Sequence, residues 1–161
     1  MSSFQDTTGE KWEINLTYGL LSRIKKQSNG NFNLLEPTKD ELSARLLSQI
    51  EEWWEVLWYL VESQAKERAV TAEQFGERMS TTCLRTARDG FFRELIDFFR
   101  QLQREDIALA LETQMEQHAK AMSKMQERVK TLEAAIDQKM NRTLNSEFGK
   151  LQALLESTPE A

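Results

Sequence analysis

The sequence predicts a mainly α protein: an α+β head with a small N-terminal strand element and a helical core, followed by a long coiled-coil-like helix. Three observations carry that prediction. Neither Gly nor Pro occurs between Gly90 and Gly149, so nothing in the local chemistry obliges a break there. Through that stretch an apolar seam runs from Ala108 through Leu111, Met115, His118, Met122, Met125, Val129, Leu132 and Ile136. Its steps alternate three and four, which keeps one narrow stripe on one side of a helix. Across the whole chain two prolines and six glycines in 161 residues are too few for a many-turned β fold.

The elements follow in order. Trp12, Ile14 and Leu16 alternate with Lys11, Glu13 and Asn15, the period of a half-buried strand. Thr8-Gly9 reads as a turn, with Ser2 to Asp6 as the partner strand of a hairpin. Thr17 suits the cap of a short helix bearing Leu20, Leu21 and Ile24, stopped at Ser28-Asn29-Gly30. Phe32, Leu34 and Leu35 lead as an apolar connector into Pro37.

Thr38-Lys39-Asp40-Glu41 reads as a capping box. It opens a central helix whose wide stripe is Leu42, Leu46, Ile50, Trp53, Leu57 and Leu60, broadened by Leu47, Trp54 and Trp58. Thr71-Ala72-Glu73-Gln74 is a second capping box, before Phe75 and Met79. Thr81 or Thr82 can cap a further helix bearing Leu84, Ala87, Phe91, Leu95 and Phe98, with Phe92, Ile96 and Phe99 widening its end. The head is thus expected over residues 1–99 and the helical tail over 100–161, with no local signal that separates the last head helix from the tail. A helix from Asp106 to Glu156 spans roughly 75 Å at about 1.5 Å per residue. Its seam needs the head or another chain to cover it.

Composition narrows the function. A net charge of −5 opposes generic nucleic-acid binding, which needs a basic face to displace counterions; Arg23, Lys25 and Lys26 read as a solvated helix end. The longest apolar run, Val56 to Val61, is too short to span a bilayer. Cys83 is the one cysteine, so there is no intrachain disulfide and no zinc spacing, which suits a reducing cytoplasm. The N-terminus lacks the basic and apolar regions of a signal peptide. His118, the one histidine, sits in the seam as a polar or pH-sensitive register position. Glu51, Glu52 and Glu55 do not converge on one point of a helix. Asn29-Gly30-Asn31 lacks the spacing of a phosphate loop, and Trp53, Trp54 and Trp58 follow the core stripe. No catalytic constellation and no cofactor or metal site is expected.

The tail carries the association signals. With Met115 at a, d falls at His118, Met125 and Leu132; at e and g, Arg128 and Glu133 are placed to pair between parallel chains, while Ala119, Ala121 and Ala135 widen the contact face and favour a bundle of more than two helices. The repeat slips at Lys139, and the stripe resumes at Met140, Leu144, Phe148, Leu151 and Leu155, a stutter that locally unwinds a supercoil. Four methionines add adaptability.

The strand Trp12-x-Ile14-x-Leu16, the helix Thr17 to Ile24 and the run Val56-Leu57-Trp58-Tyr59-Leu60-Val61-x-x-Gln64-Ala65 carry a resemblance. Arg68-x-Val70-Thr71-x-x-Gln74-Phe75-Gly76 and Glu94-Leu95-x-Asp97-Phe98-Phe99 extend it. Over about residues 10–100 the chain resembles the tail assembly chaperones of long-tailed bacteriophages and prophages. The resemblance implies a non-enzymatic role in holding the aggregation-prone tape-measure protein until tail-tube subunits polymerise around it. The expected partners are those two proteins and other copies of the chain, with no nucleic acid or membrane. The expected contact residues are Leu111, Met115, His118, Met122, Met125, Val129, Leu132, Ile136 and Met140. A self-associating structural component of a particle, and a ligand-binding domain or enzyme built on the tryptophan helix, are the alternatives.

Overall fold

The first hairpin is organised by a single carboxylate. In the computed structural model, which describes residues 1–157, strand β1 (Ser2–Gln5) pairs antiparallel with β2 (Lys11–Ile14), Phe4 opposite Trp12. In the turn Gly9 takes a positive φ of 85°, a conformation open to glycine at no steric cost. Asp6 accepts from the Thr8 hydroxyl (2.6 Å), from the Thr8 and Glu10 backbone N–H groups, and from Trp12 Nε1 at 3.0 Å. Burial pushes the Asp6 pKa up. The Thr8 and Trp12 side-chain bonds, with the two backbone donors, outweigh it and hold the carboxyl below its ordinary value of 3.8. Because the folded pKa lies below the unfolded one, this stabilisation is complete above the ordinary value and is lost as pH falls through the folded pKa. Asp6→Asn should cost about 2 kcal/mol at neutral pH. It should also flatten the acid limb of a stability-against-pH curve below about pH 4; an unchanged acid limb would remove Asp6 from this role.

Trp12, Ile14 and Leu16 turn inward, as the alternation predicts, and Phe4 joins them from β1. Helix α1 (Tyr18–Gln27) is capped by Thr17, whose hydroxyl accepts from the Leu20 N–H. It ends as expected at Ser28-Asn29-Gly30: the Gly30 N–H reaches back to the Lys25 carbonyl at 2.8 Å, with Asn29 left-handed.

The next region departs from the expected pattern. Thr38 makes no side-chain capping bond, so the capping box at 38–41 does not form. Asp40 and Glu41 both take positive φ (53° and 55°) within a 3-10 turn, Lys39–Glu41, ahead of α2 (Leu42–Ser48). The Ser43 N–H bonds instead to the Pro37 carbonyl at 2.9 Å. The wide-stripe helix is also two helices. Gln49 is extended (φ −111°, ψ 107°) and α3 runs Ile50–Glu67. The break re-aims α3 so that Val56 and Val61 join Trp53, Leu57 and Leu60 in the core while Ile50 is left exposed. Arg88 donates to the Leu47 carbonyl at 2.8 Å, satisfying one group that the end of α2 leaves without a helical partner.

Helix α4 (Ala72–Glu77) has the predicted capping box, Thr71 and Gln74 bonding reciprocally. It seats the fully buried Phe75 against Trp12 (ring centroids 4.8 Å apart), Trp54 (5.5 Å) and Trp58 (5.9 Å). Helix α5 (Thr81–Gln101) is capped by Ser80, one residue before the expected Thr81 or Thr82. It buries Ala87, Phe91, Phe92, Leu95, Ile96 and Phe99. It also crosses β1 closely: a Cβ on Gly90 would lie 3.3 Å from Ser2 Cβ.

Helix α5 does not continue into the tail. It ends at Gln101 with Leu102 as its C-cap, the Gln103 N–H on the Arg100 carbonyl and the Arg104 N–H on the Phe99 carbonyl, both at 2.9 Å. This is a Schellman cap built without glycine, Gln103 taking a φ of 58°. Gln103→Gly should therefore raise stability by about 0.5–1 kcal/mol by removing a strained Cβ, read as a higher denaturant midpoint at unchanged slope; a fall would show that the Gln103 side chain is itself needed.

Helix α6 then runs Glu105–Glu156. The chain divides into one compact unit, Met1–His118, and a second beginning at Ala119. The head therefore extends past the expected boundary at Phe99, because Ile107, Ala108 and Leu111 are buried in its core. Residues 158–161 of the expected tail lie outside the described residues.

Candidate protein-protein interface

The seam divides into two chemically different parts. Its first part belongs to the head. Leu111 is 0% exposed and Met115 packs against the same core. Beside them the fully buried Ser43 donates its hydroxyl to Gln114 Oε1. Leu111 is thereby withdrawn from the expected contact set, and Met115 is largely occupied. His118 is half-buried; burial first, then the Arg88 guanidinium, pushes its pKa down from 6.5, against the pull of Asp89. Both effects bias the imidazole toward its neutral form.

The second part stands in solvent. Met122, Met125, Val129, Leu132, Ile136 and Met140 are each between 44% and 63% exposed. The stripe continues through Leu144, Phe148, Leu151 and Leu155, also exposed. These ten residues take nine steps from Met122 to Leu155, a mean period of about 3.67, close to the turn of a straight helix and equal to the 11-residue repeat. The slip at Lys139 thus keeps the late residues on the same side, and the expected contact set extends beyond Met140. Together they present roughly 1,000 Å² of apolar surface, against about 300–600 Å² for the largest patch on an ordinary monomer.

The remaining candidate groups have structural partners. Trp12 and Trp53 are fully buried, Trp53 donating to the Leu84 carbonyl at 3.1 Å. Trp54 and Trp58 lie around Phe75. An open cleft of about 610 Å³ beside Gly30 and Leu42 carries Lys25, Lys39 and Arg45 against Glu36 and Asp40, and Arg45 is already paired with Glu52 at 3.0 Å. Among the described residues no cluster of three or more His, Cys, Asp or Glu could hold a metal ion, and no helix is long and apolar enough to cross a membrane. No family model matches the chain, and comparison with curated proteins and with solved structures finds no match.

Proposed function

We propose that the chain is a non-enzymatic assembly protein that binds other proteins through the exposed stripe of α6. One observation carries this reading. A soluble-type helix with ten large apolar side chains left in water, from Met122 to Leu155, has a strong thermodynamic demand for a covering surface. A helical partner supplies that surface with matching periodicity. The methionines at 122, 125 and 140 let the stripe adapt to partners that are not perfectly repeated.

The resemblance over residues 10–100 supplies the setting: tail assembly in a long-tailed phage, in the host cytoplasm. The chain would there act as chaperone for the tape-measure protein and tail-tube subunits. A permanent place in the particle is the second reading, favoured by the length and regularity of the stripe.

A crosslinked pull-down from producing cells, read by mass spectrometry, tests the assignment. Recovery of a very long helical protein with tail-tube subunits is the expected result. Recovery of the chain alone, with the chain present at fixed stoichiometry in purified particles, would overturn the chaperone role in favour of the structural one. Met122→Glu with Met125→Glu should abolish capture while the tryptophan fluorescence of the head stays unchanged; undiminished capture would remove the stripe from the binding surface.

A further inference from the structure

We infer that the exposed stripe of α6 pairs with the same stripe of a second copy of this chain, the two helices running parallel and in register. The inference rests on the reading of the stripe as an association surface and names its occupant in the free chain, whose place a helical client takes over on capture. It is carried by the charges that border the stripe. At about 100° per residue, Glu133 and Asp137 fall on one flank, and Lys124, Arg128 and Lys139 on the other, where Glu147 joins them beside the late stripe. Lys130 stands at the outer edge of the acidic flank.

Each flank is strained within its own helix. Glu133 and Asp137 are like charges four residues apart, as are Lys124 and Arg128, and such pairs are destabilising on an isolated helix. Among the described residues the stretch 119–157 contains a single ion pair within 4.0 Å, Lys150 with Glu147 at 3.4 Å; none of the charges beside the early stripe makes such a pair along the helix.

A parallel second copy meets this need twice over. Parallel pairing lays the basic flank of one helix along the acidic flank of the other, with Arg128 (g) reaching Glu133 (e) of the second copy, and the two-fold relation repeats the contact. Antiparallel pairing about the middle of the stripe brings Arg128 toward Glu147 but sets Asp137 near Asp137 and Lys139 near Lys139 of the second copy, so like charges meet at its centre. The area is sufficient as well: roughly 1,000 Å² of apolar stripe per chain compares with about 800 Å² per partner in a standard stable interface. The first part of the seam takes no part, because Leu111 is already covered by the head.

The test uses the full chain with Cys83→Ser, which removes its one thiol, carrying either Met125→Cys or Leu151→Cys. In a parallel, in-register pair each cysteine faces its own copy, so both variants should form disulfide dimers under mild oxidation. An antiparallel pair has one centre, so at most one of these positions can face itself. Dimer crosslinking at one position only, or at neither, overturns the inference. Sedimentation then separates the two readings. A chain monomeric at tens of micromolar that still captures a helical client loses this inference and keeps the association surface; a monomer that captures nothing loses both. As an orientation check, Arg128→Glu should weaken self-association about tenfold, and adding Glu133→Arg in the same chain should restore it. Failure of the swap to restore affinity would overturn the parallel arrangement.

Discussion

Leu111→Ala should cost the protein about 3 kcal/mol, or ~10 °C in melting temperature, whereas Leu132→Ala should change the stability of the head by less than about 0.5 kcal/mol. Both leucines lie on one seam of one helix. Leu111 is fully enclosed by the head core, so its truncation removes transfer energy and opens a cavity. Leu132 is 63% exposed, and alanine at that site is a better helix former. The two effects can be read separately because all four tryptophans, at 12, 53, 54 and 58, lie in the head, so their fluorescence reports the first compact unit alone. Leu132→Ala should instead weaken association. If both variants melted equally below the parent, the division of the seam at His118 would be wrong.

Phe75→Ala is expected to be the most damaging single truncation in the head, at about 4 kcal/mol. Among the described residues Phe75 is the one ring that touches three tryptophans: Trp12 edge-on, Trp54 stacked and Trp58 tilted. Its removal unties the short α4 from both the hairpin and α3. Arg68, whose guanidinium lies 4.5 Å from the Trp12 ring centroid, would lose the packing that holds that ring. The measurement is a urea titration followed by tryptophan emission, with a midpoint far below that of the parent and a red-shifted native baseline as the expected result. A loss below about 1 kcal/mol would mean that the cluster repacks around the void, and that Phe75 is filler rather than anchor.

These two expectations share a physical basis with what was legible in the sequence. Local chemistry was legible. The Trp12 strand, the Thr17 cap, the Asn29-Gly30 stop, the Thr71 to Gln74 capping box and the existence of the long tail helix all depend on residues within a turn or two of each other. Such features are settled by backbone hydrogen bonding and side-chain period. The failures are equally specific. Thr38 to Glu41 has the composition of a capping box, yet Asp40 and Glu41 turn left-handed because the chain must leave Pro37 and aim Leu42, Leu46 and Leu47 into the core. Gln49 and Gln103 carry no breaker signal. Each breaks a helix because continuing it would carry the following apolar residues away from the core that they join, Val56 and Val61 in one case and Ile107, Ala108 and Leu111 in the other.

The candidate site shows the same division. Its periodicity, methionine content and charge pattern are properties of the chain and could be read directly. Which of its residues are free could not, since Leu111 and Leu132 are indistinguishable in a helical pattern. The sequence by itself determined that a long helix would form with one apolar side. Only the tertiary structure decided that this side is covered as far as Met115 and His118 and left in water from Met122 onward. Burial depends on what lies opposite a side chain, and for Leu111 that surface is built from elements distant in the sequence.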